Sequence, residues 1–121
     1  MPNYKLFEAE YRMMNILWDN EPLSCSELAQ LCDELLGWKR TTTYTQIKRM
    51  EERQFIRRDG SMLTALVKRN QVEQFDSEEI VDGRFNGSLP KFVAAFIGSK
   101  RMTKDQIDEL RRMLDEFDGE Q

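Results

Sequence analysis

The sequence contains no histidine and only two cysteines among its 121 residues, and both shortages exclude chemistry. Without histidine there is no His-ligated zinc, no imidazole general base and no Ser-His or Cys-His catalytic pair. Cys25 and Cys32 stand seven apart in a helical stretch, which separates them by roughly 10 Å, beyond the reach of a disulfide. We expect two buried thiols in a reducing compartment, no metal site and no cofactor.

Long apolar runs are also absent, so no segment is suited to span a membrane. The N-terminus lacks the basic stretch and apolar core of a secretory signal, so we expect a cytoplasmic protein without membrane insertion. A Gly-rich phosphate loop is missing too, which disfavours a small enzyme. The 40% hydrophobic and 33% charged residues instead indicate one helix-rich globular domain, or one with an appended element.

Basic side chains are concentrated in one part of an acidic chain. Residues 39–69 hold nine basic and three acidic groups, a local charge of +6 within a total of −4. A basic patch of this kind is typical of a surface that contacts a polyanion.

The segment Lys39–Arg53, KRTTTYTQIKRMEER, is predicted to form a helix with two faces. Ile47 and Met50 form the apolar side, with Tyr44 one turn earlier. Hydroxyls among cations suit a DNA major groove, because Thr bonds base edges while Arg and Lys reach guanine or phosphate. The polar side carries Arg40, Thr41, Thr42, Thr45, Lys48 and Arg49. The alternative is an ordinary solvated helix face.

Two helices are predicted before this segment. The first runs over Leu6–Trp18, with Glu8, Glu10 and Arg12 outside, and stops at the turn DNEP. The second begins at Ser24 or Ser26, because Ser24 has Glu27 at the capping-box spacing, and it ends at Gly37. Its predicted buried residues are Leu28, Ala29, Cys32, Leu35 and Leu36. Two helices meeting at a short Gly-containing turn indicate a helix-turn-helix.

A basic hairpin is predicted after the polar helix. Gln54–Arg58 and Leu63–Lys68 flank the turn dipeptide Asp59-Gly60. The two strands would carry Arg57, Arg58, Lys68 and Arg69. Such a wing would lie along phosphates or in the minor groove; alternatively, the hairpin only seals the helical core.

The chain changes character at Asn70, where three amphipathic helices are predicted. Ser88 and Thr103 are the expected caps of the last two, and Thr103 has Gln106 at the capping-box position. These helices carry more apolar surface than a small domain covers, which indicates a homodimer; alternatively, they fold back on their own N-terminal domain. The predicted dimer contacts are Phe85, Phe92, Val93, Phe96, Ile107, Leu110, Leu114 and Phe117.

The predicted fold is mainly helical with a small β-hairpin wing. Residues 1–70 would form a winged helix-turn-helix DNA-binding domain and residues 71–121 a helical dimerisation region. A two-fold axis would place two polar helices on an inverted repeat in double-stranded DNA.

Three segments in order resemble one known family, the penicillinase-repressor family of winged-helix repressors that control β-lactamase and methicillin-resistance genes. They are LFEAEYRMMNILWDNEPLS, WKRTTTYTQIKRMEERQFIRR and MTKDQIDELRRMLDEF, and the resemblance extends from about Leu6 to Phe117. It implies a dimeric repressor on an inverted-repeat operator. By the same resemblance Thr42, Tyr44, Thr45 and Lys48 face the groove, Arg49 holds a phosphate or a structural partner, and Tyr44 alternatively packs inward.

The resemblance also bears on regulation. In antibiotic-sensing members, a membrane sensor with a metalloprotease domain triggers cleavage before a Phe in the short apolar helix. The matching bond here is Ala95–Phe96 in FVAAFIG, although the archetypes carry Asn where this chain has Ala95. The related copper-responsive repressors end in a Cys-x-Cys metal site, and this sequence ends LDEFDGEQ, so copper sensing is not expected. Two other functions stay open: a protein-contact adaptor, and a regulator released by a small ligand bound near residues 85–97.

Overall fold

The protein is described by a computed structural model of residues 2–120, which contains six helices and one three-stranded antiparallel sheet. It divides into two compact units between Ser77 and Glu78, here called the N-terminal unit and the C-terminal unit. The helices are α1 Glu8–Asn20, α2 Cys25–Leu36, α3 Arg40–Glu52, α4 Arg69–Arg84, α5 Leu89–Gly98 and α6 Lys104–Glu120. The strands are β1 Leu23–Ser24, β2 Ile56–Asp59 and β3 Met62–Ala65. The predicted fold class is confirmed, and no helix within residues 2–120 is long and apolar enough to cross a membrane.

Both ends of α2 follow the local signals in the sequence. The Ser24 hydroxyl accepts a hydrogen bond from the Glu27 amide (3.0 Å), while the Ser24 amide donates to the Glu27 carboxylate (2.9 Å). Gly37 ends the helix in a left-handed conformation with φ of 71°, which glycine adopts without steric cost. The predicted capping box and stop are therefore confirmed.

The start of α1 differs from the prediction. The helix begins at Glu8, two residues later than expected, because the Phe7 amide donates to the Glu10 carboxylate over 2.8 Å and closes the first turn. The prediction that Glu10 lies on the outside is wrong, since its side chain is buried. The amphipathic pattern assigned Glu10 to the polar face without a partner, and its partner lies far away in the sequence.

The sheet has the order β1-β3-β2. Leu23 of β1 pairs with Leu63, and the β2–β3 hairpin pairs Ile56 with Ala65 and Arg57 with Thr64. The second wing strand ends at Ala65, so it is shorter than predicted. Lys68 and Arg69 are therefore not on the wing: Lys68 follows the hairpin, and Arg69 is the first residue of α4.

The core of the N-terminal unit lies between the helices and the sheet. It contains both cysteines as free, buried thiols, and both predicted anchors of α3, Ile47 and Met50, are fully buried. Its larger members are Met13, Met14, Leu17, Leu28, Ile47, Met50, Phe55, Leu63 and Val72. Leu35, predicted to be buried, is 64% exposed, because it lies in the last turn of α2, beyond the buried residues Leu28 and Cys32.

The C-terminal unit contains α5 and α6 with clear starts. The Ser88 hydroxyl accepts from the Lys91 amide (3.2 Å), and Thr103 and Gln106 form a reciprocal capping box. Both predicted caps are confirmed. Across residues 89–119, no side chain is buried within the single chain.

Candidate nucleic-acid interface

One side of α3 is fixed in the core by three fully buried residues, Thr43, Ile47 and Met50. Their spacings of four and three place them in one stripe along the helix. Tyr44 was predicted to lie on this side of the helix, and that prediction is wrong. Thr43 is the residue in line with Ile47 and Met50, while Tyr44 lies on the flank, 37% exposed.

The opposite side of α3 is polar and accessible. Thr41, Thr42, Thr45, Lys48 and Arg49 are all exposed. The Thr45 hydroxyl donates to the Thr41 carbonyl over 2.9 Å, which leaves its oxygen lone pairs and methyl group facing outward. These five side chains thus present acceptors, methyl groups and cations together, the groups that read base edges and phosphates.

The first turn of α3 is unusually positive. Lys39 is the N-cap and makes no side-chain cap, Arg40 follows, and the turn contains no acidic residue. A helix N-terminus already has unsatisfied N–H groups and a partial positive charge. Placing cations there is unfavourable for the helix and favourable for binding an anion such as a phosphate. Lys39 was not predicted as a site residue, although its position directly before the helix was a usable signal.

Arg40 is held in place by neutral groups. Its guanidinium donates to the Tyr44 hydroxyl (3.0 Å) and to the Ser26 hydroxyl (3.3 Å), and it lies 5.9 Å from the centre of the Tyr44 ring. Tyr44 therefore supports Arg40 at the surface and does not pack inward. Because hydroxyls carry no charge, the positive charge of Arg40 stays available to a ligand.

Carboxylates partner four of the nine basic residues between Lys39 and Arg69. The pairs are Arg53 with Glu10 (3.2 Å), Arg58 with Glu51 (2.6 Å), Lys68 with Glu21 (3.6 Å) and Arg69 with Asp19 (2.7 Å). The hydrogen bond from Arg58 to Glu51 raises the pKa of the Arg58 guanidinium above its usual value, so Arg58 stays charged. Two predicted DNA contacts, Arg58 and Lys68, thus have intramolecular partners that offset their charge.

The other five cations have no carboxylate partner within residues 2–120. They are Lys39, Arg40, Lys48, Arg49 and Arg57, and all are exposed. Four lie on α3 or at its N-cap, and Arg57 lies on β2, directly opposite Thr64 of β3. The structure thus reduces the broad basic segment of the sequence to a smaller set of uncompensated charges on one helix and one wing strand. We call these five residues the unpaired cations.

The predicted dimer contacts lie on α5 and α6 and at Phe85, directly after α4. The rings of Phe85 and Phe92 pack edge to face with centroids 5.2 Å apart. They line an open cavity of about 300 Å³ with Ala95, Phe96, Ser99 and Arg101. Val93, Ile107 and Leu110 are half-buried, and Leu114 and Phe117 are exposed. Ala95 and Phe96, which flank the predicted cleavage bond, both lie inside α5 and are exposed.

The fold and the unpaired cations together define a winged-helix protein of the DNA-binding class. Residues 6–116 match the model of the penicillinase repressor family. The chain is 24% identical over 115 residues to the methicillin resistance regulatory protein MecI of Staphylococcus aureus, covering 92% of this chain and 94% of that protein. It is 21% identical over 113 residues to the penicillinase repressor of Staphylococcus aureus (90% of each chain), and 19% identical over 116 residues to that of Bacillus licheniformis (93% and 91%). The chain belongs to the penicillinase repressor family.

Members of this family are DNA-binding regulators and not enzymes, which confirms the corresponding prediction. The chain is thus a transcriptional repressor, as the resemblance implied.

Proposed function

We propose that this protein is a homodimeric repressor that binds an inverted-repeat operator through α3 and the wing. The unpaired cations carry the proposal. Carboxylates lie beside four of the nine cations of residues 39–69, Arg53, Arg58, Lys68 and Arg69. Five exposed cations left unneutralised around one helix favour a polyanion as the missing partner.

The exposed side chains of α3 and its N-cap suggest which of them contact phosphates and which contact bases. Lys39 and Arg40, together with the free N–H groups of the first turn, hold phosphates and fix the register. Thr42 and Thr45 face base edges and Lys48 reaches a phosphate across the groove, while Tyr44 supports Arg40 and Arg49 reaches another phosphate. Arg57 holds a phosphate beside the groove.

The second copy is proposed from the apolar C-terminal helices. Exposed Phe96, Leu114 and Phe117 leave a large apolar surface in the single chain. Surfaces of this kind are typical of an interface between protein chains. A symmetric dimer would cover this surface and place two α3 helices on the two half-sites of an inverted repeat.

We also propose that proteolysis at Ala95–Phe96, triggered by a membrane-sensor protease, inactivates the protein. The bond lies in a ten-residue helix with no buried side chain, and isolated helices of this length are marginal in water. Local unwinding of α5 would therefore present the bond to a protease at low cost. Cleavage there would separate α6 from the DNA-binding part of the chain.

The test is operator binding as a function of salt. Fluorescence anisotropy with the promoter DNA of the protein's own gene should give a log–log salt slope of roughly −0.9 per phosphate contact. The double variant Thr45→Ala and Lys48→Ala should weaken binding, and it should reduce the size of the slope by about 2, one Lys contact per protomer. Sedimentation should show an unchanged dimer.

The matched control is Lys104→Ala, which removes the same charge from the start of α6 and leaves the Thr103 cap intact. It should leave the salt slope unchanged. Absence of binding at low salt would refute the repressor proposal in favour of a protein-contact adaptor. Loss of the dimer in the α3 double variant would contradict the assignment of that helix to DNA.

A further inference from the structure

An ion pair between a buried carboxylate and a partly exposed guanidinium joins α1 to the end of α3. The Glu10 carboxylate, 1% exposed, accepts hydrogen bonds from Arg53 Nη1 over 3.2 Å and from the Phe7 amide over 2.8 Å. Arg53 is the C-cap of α3 and was counted among the basic residues of the patch. Its charge is instead used inside the protein, where it links α3 to the start of α1.

Arg53 makes further contacts with the N-terminal segment. Its Nη2 donates to the Lys5 carbonyl over 2.7 Å and to the Asn3 carbonyl over 3.4 Å. The guanidinium lies 4.6 Å from the centre of the Phe55 ring, and Tyr4 packs edgewise on the same ring at 6.2 Å. One side chain therefore joins the end of α3, the N-terminal segment and the residue before β2.

A second ion pair fixes the same end of α3 from the other side. Glu51 accepts from Arg58 of β2 over 3.0 Å at Nε and 2.6 Å at Nη2. Glu51 and Arg53 are two residues apart, roughly 200° around the helix axis, so they project from opposite sides. Rotation of α3 about its own axis would move its exposed side chains relative to DNA, and these two ion pairs on opposite sides of one end of the helix resist that rotation.

We propose that Glu10 and Arg53 are positioning residues of the DNA-reading helix, which fix the roll of α3 without touching DNA. This inference rests on the proposed function. A roll of about 20° would displace side-chain tips that lie ~5 Å from the helix axis by about 2 Å. Hydrogen bonds to base edges do not survive such a displacement.

Operator affinity after removal of one negative charge distinguishes a positioning role of Glu10 from an effect of net charge. Glu10→Ala and Glu8→Ala each remove one negative charge from α1, and Glu8 is an exposed residue whose salt-bridge partner within residues 2–120 is Arg12 of the same helix. An effect of net charge alone would tighten DNA binding equally in both variants. Positioning predicts that Glu10→Ala binds the operator about tenfold more weakly, whereas Glu8→Ala binds as well as the unmodified protein or slightly better.

The salt slope provides the second readout. Arg57→Gln, which removes a proposed phosphate contact, should reduce the size of the slope by about 2 in a dimer. Arg53→Gln, which removes the same charge nearby, should weaken binding at every salt concentration and leave the slope unchanged. A reduced slope for Arg53→Gln would make Arg53 a phosphate contact and overturn the inference.

Affinities are compared at a temperature where circular dichroism shows each variant fully folded. If Glu10→Ala does not fold, Arg53→Lys keeps the charge but replaces the planar donor fork with one ammonium group. It should bind severalfold more weakly with an unchanged slope, and unchanged affinity would refute the inference. Should the unmodified protein bind with the expected slope while Glu10→Ala and Glu8→Ala behave alike, the positioning role fails and the repressor proposal stands. Absence of binding by the unmodified protein would refute both.

Discussion

The two units treat their apolar residues in opposite ways. In the N-terminal unit, side chains from Met13 to Val72 pack into one core, and every buried hydrophobic residue among the described ones belongs to it. In the C-terminal unit, Phe96, Ile97, Met113, Leu114 and Phe117 are all at least 42% exposed. The N-terminal unit thus forms a buried core within the single chain, whereas the C-terminal unit leaves its apolar side chains exposed, and we propose that a second chain covers them.

The units also differ in how their helices are held. Helix α3 has few apolar residues, yet three fully buried side chains and two ion pairs fix it. Helix α6 is strongly amphipathic, and its apolar side faces no core of its own. Stability in the N-terminal unit should therefore depend on single core residues, while in the C-terminal unit it should depend on protein concentration.

The largest expected effect comes from breaking the proposed dimer. Replacing Leu110 and Leu114 with Asp would bury charges in the interface, so the dimer should be lost in sedimentation. Operator affinity should fall by about a thousandfold, since a monomer reads one half-site only. The matched control replaces the exposed Arg111 and Arg112 with Asp, and it should leave the dimer intact. A dimer that persists in the Leu double variant would show that α6 is not the interface.

The second effect compares one truncation in each unit. Ile47→Ala empties a fully buried site, so it should lower the free energy of unfolding of the N-terminal unit by about 3 kcal/mol. Phe117→Ala removes a larger but exposed ring, so it should leave that value unchanged and weaken the dimer. Denaturant unfolding of both variants at two protein concentrations distinguishes a weakened core from a weakened dimer. If the denaturation midpoint depended on protein concentration for Ile47→Ala and not for Phe117→Ala, Ile47 and not Phe117 would support the dimer.

Local signals in the sequence predicted the elements that local chemistry decides. The caps at Ser24, Ser88 and Thr103 depend on residues three positions away, and Gly37 needs only its own backbone. The anchors Ile47 and Met50 follow from helical spacing. The choice of Thr43 over Tyr44 was missed because hydropathy ranks Tyr above Thr, whereas the angle around the helix decides which one is buried.

Charge pairing was not predictable in the same way. Arg53 reaches Glu10 across 43 positions of sequence, and Arg69 reaches Asp19 across 50. Both pairs depend on how α1 packs against α3 and α4. The spacing of residues within one helix cannot predict such packing. The sequence located a basic segment, and only the packed structure distinguished its paired from its unpaired cations. Lys39, Arg40, Lys48, Arg49 and Arg57 are thus a more specific prediction of the DNA contacts than the segment as a whole.

The smallest expected effect concerns a thiol in the core of the N-terminal unit. Burial raises the pKa of the Cys32 thiol, although a contact with Thr43 partly opposes this shift. Because the pKa of this thiol is higher in the folded than in the unfolded chain, its stabilisation of the folded state is fully present at pH values below the pKa of the unfolded chain. That contribution is lost as pH rises through the folded value. The free energy of unfolding should therefore decline on the alkaline side, and less steeply in Cys32→Ala.

A thiol reagent should leave Cys32 unmodified in the folded protein at pH 8 but label a cysteine placed at Leu114 in the C-terminal unit, once dilution has dissociated the dimer. Equal labelling of both sites would show that the N-terminal core opens as readily as the exposed helix face.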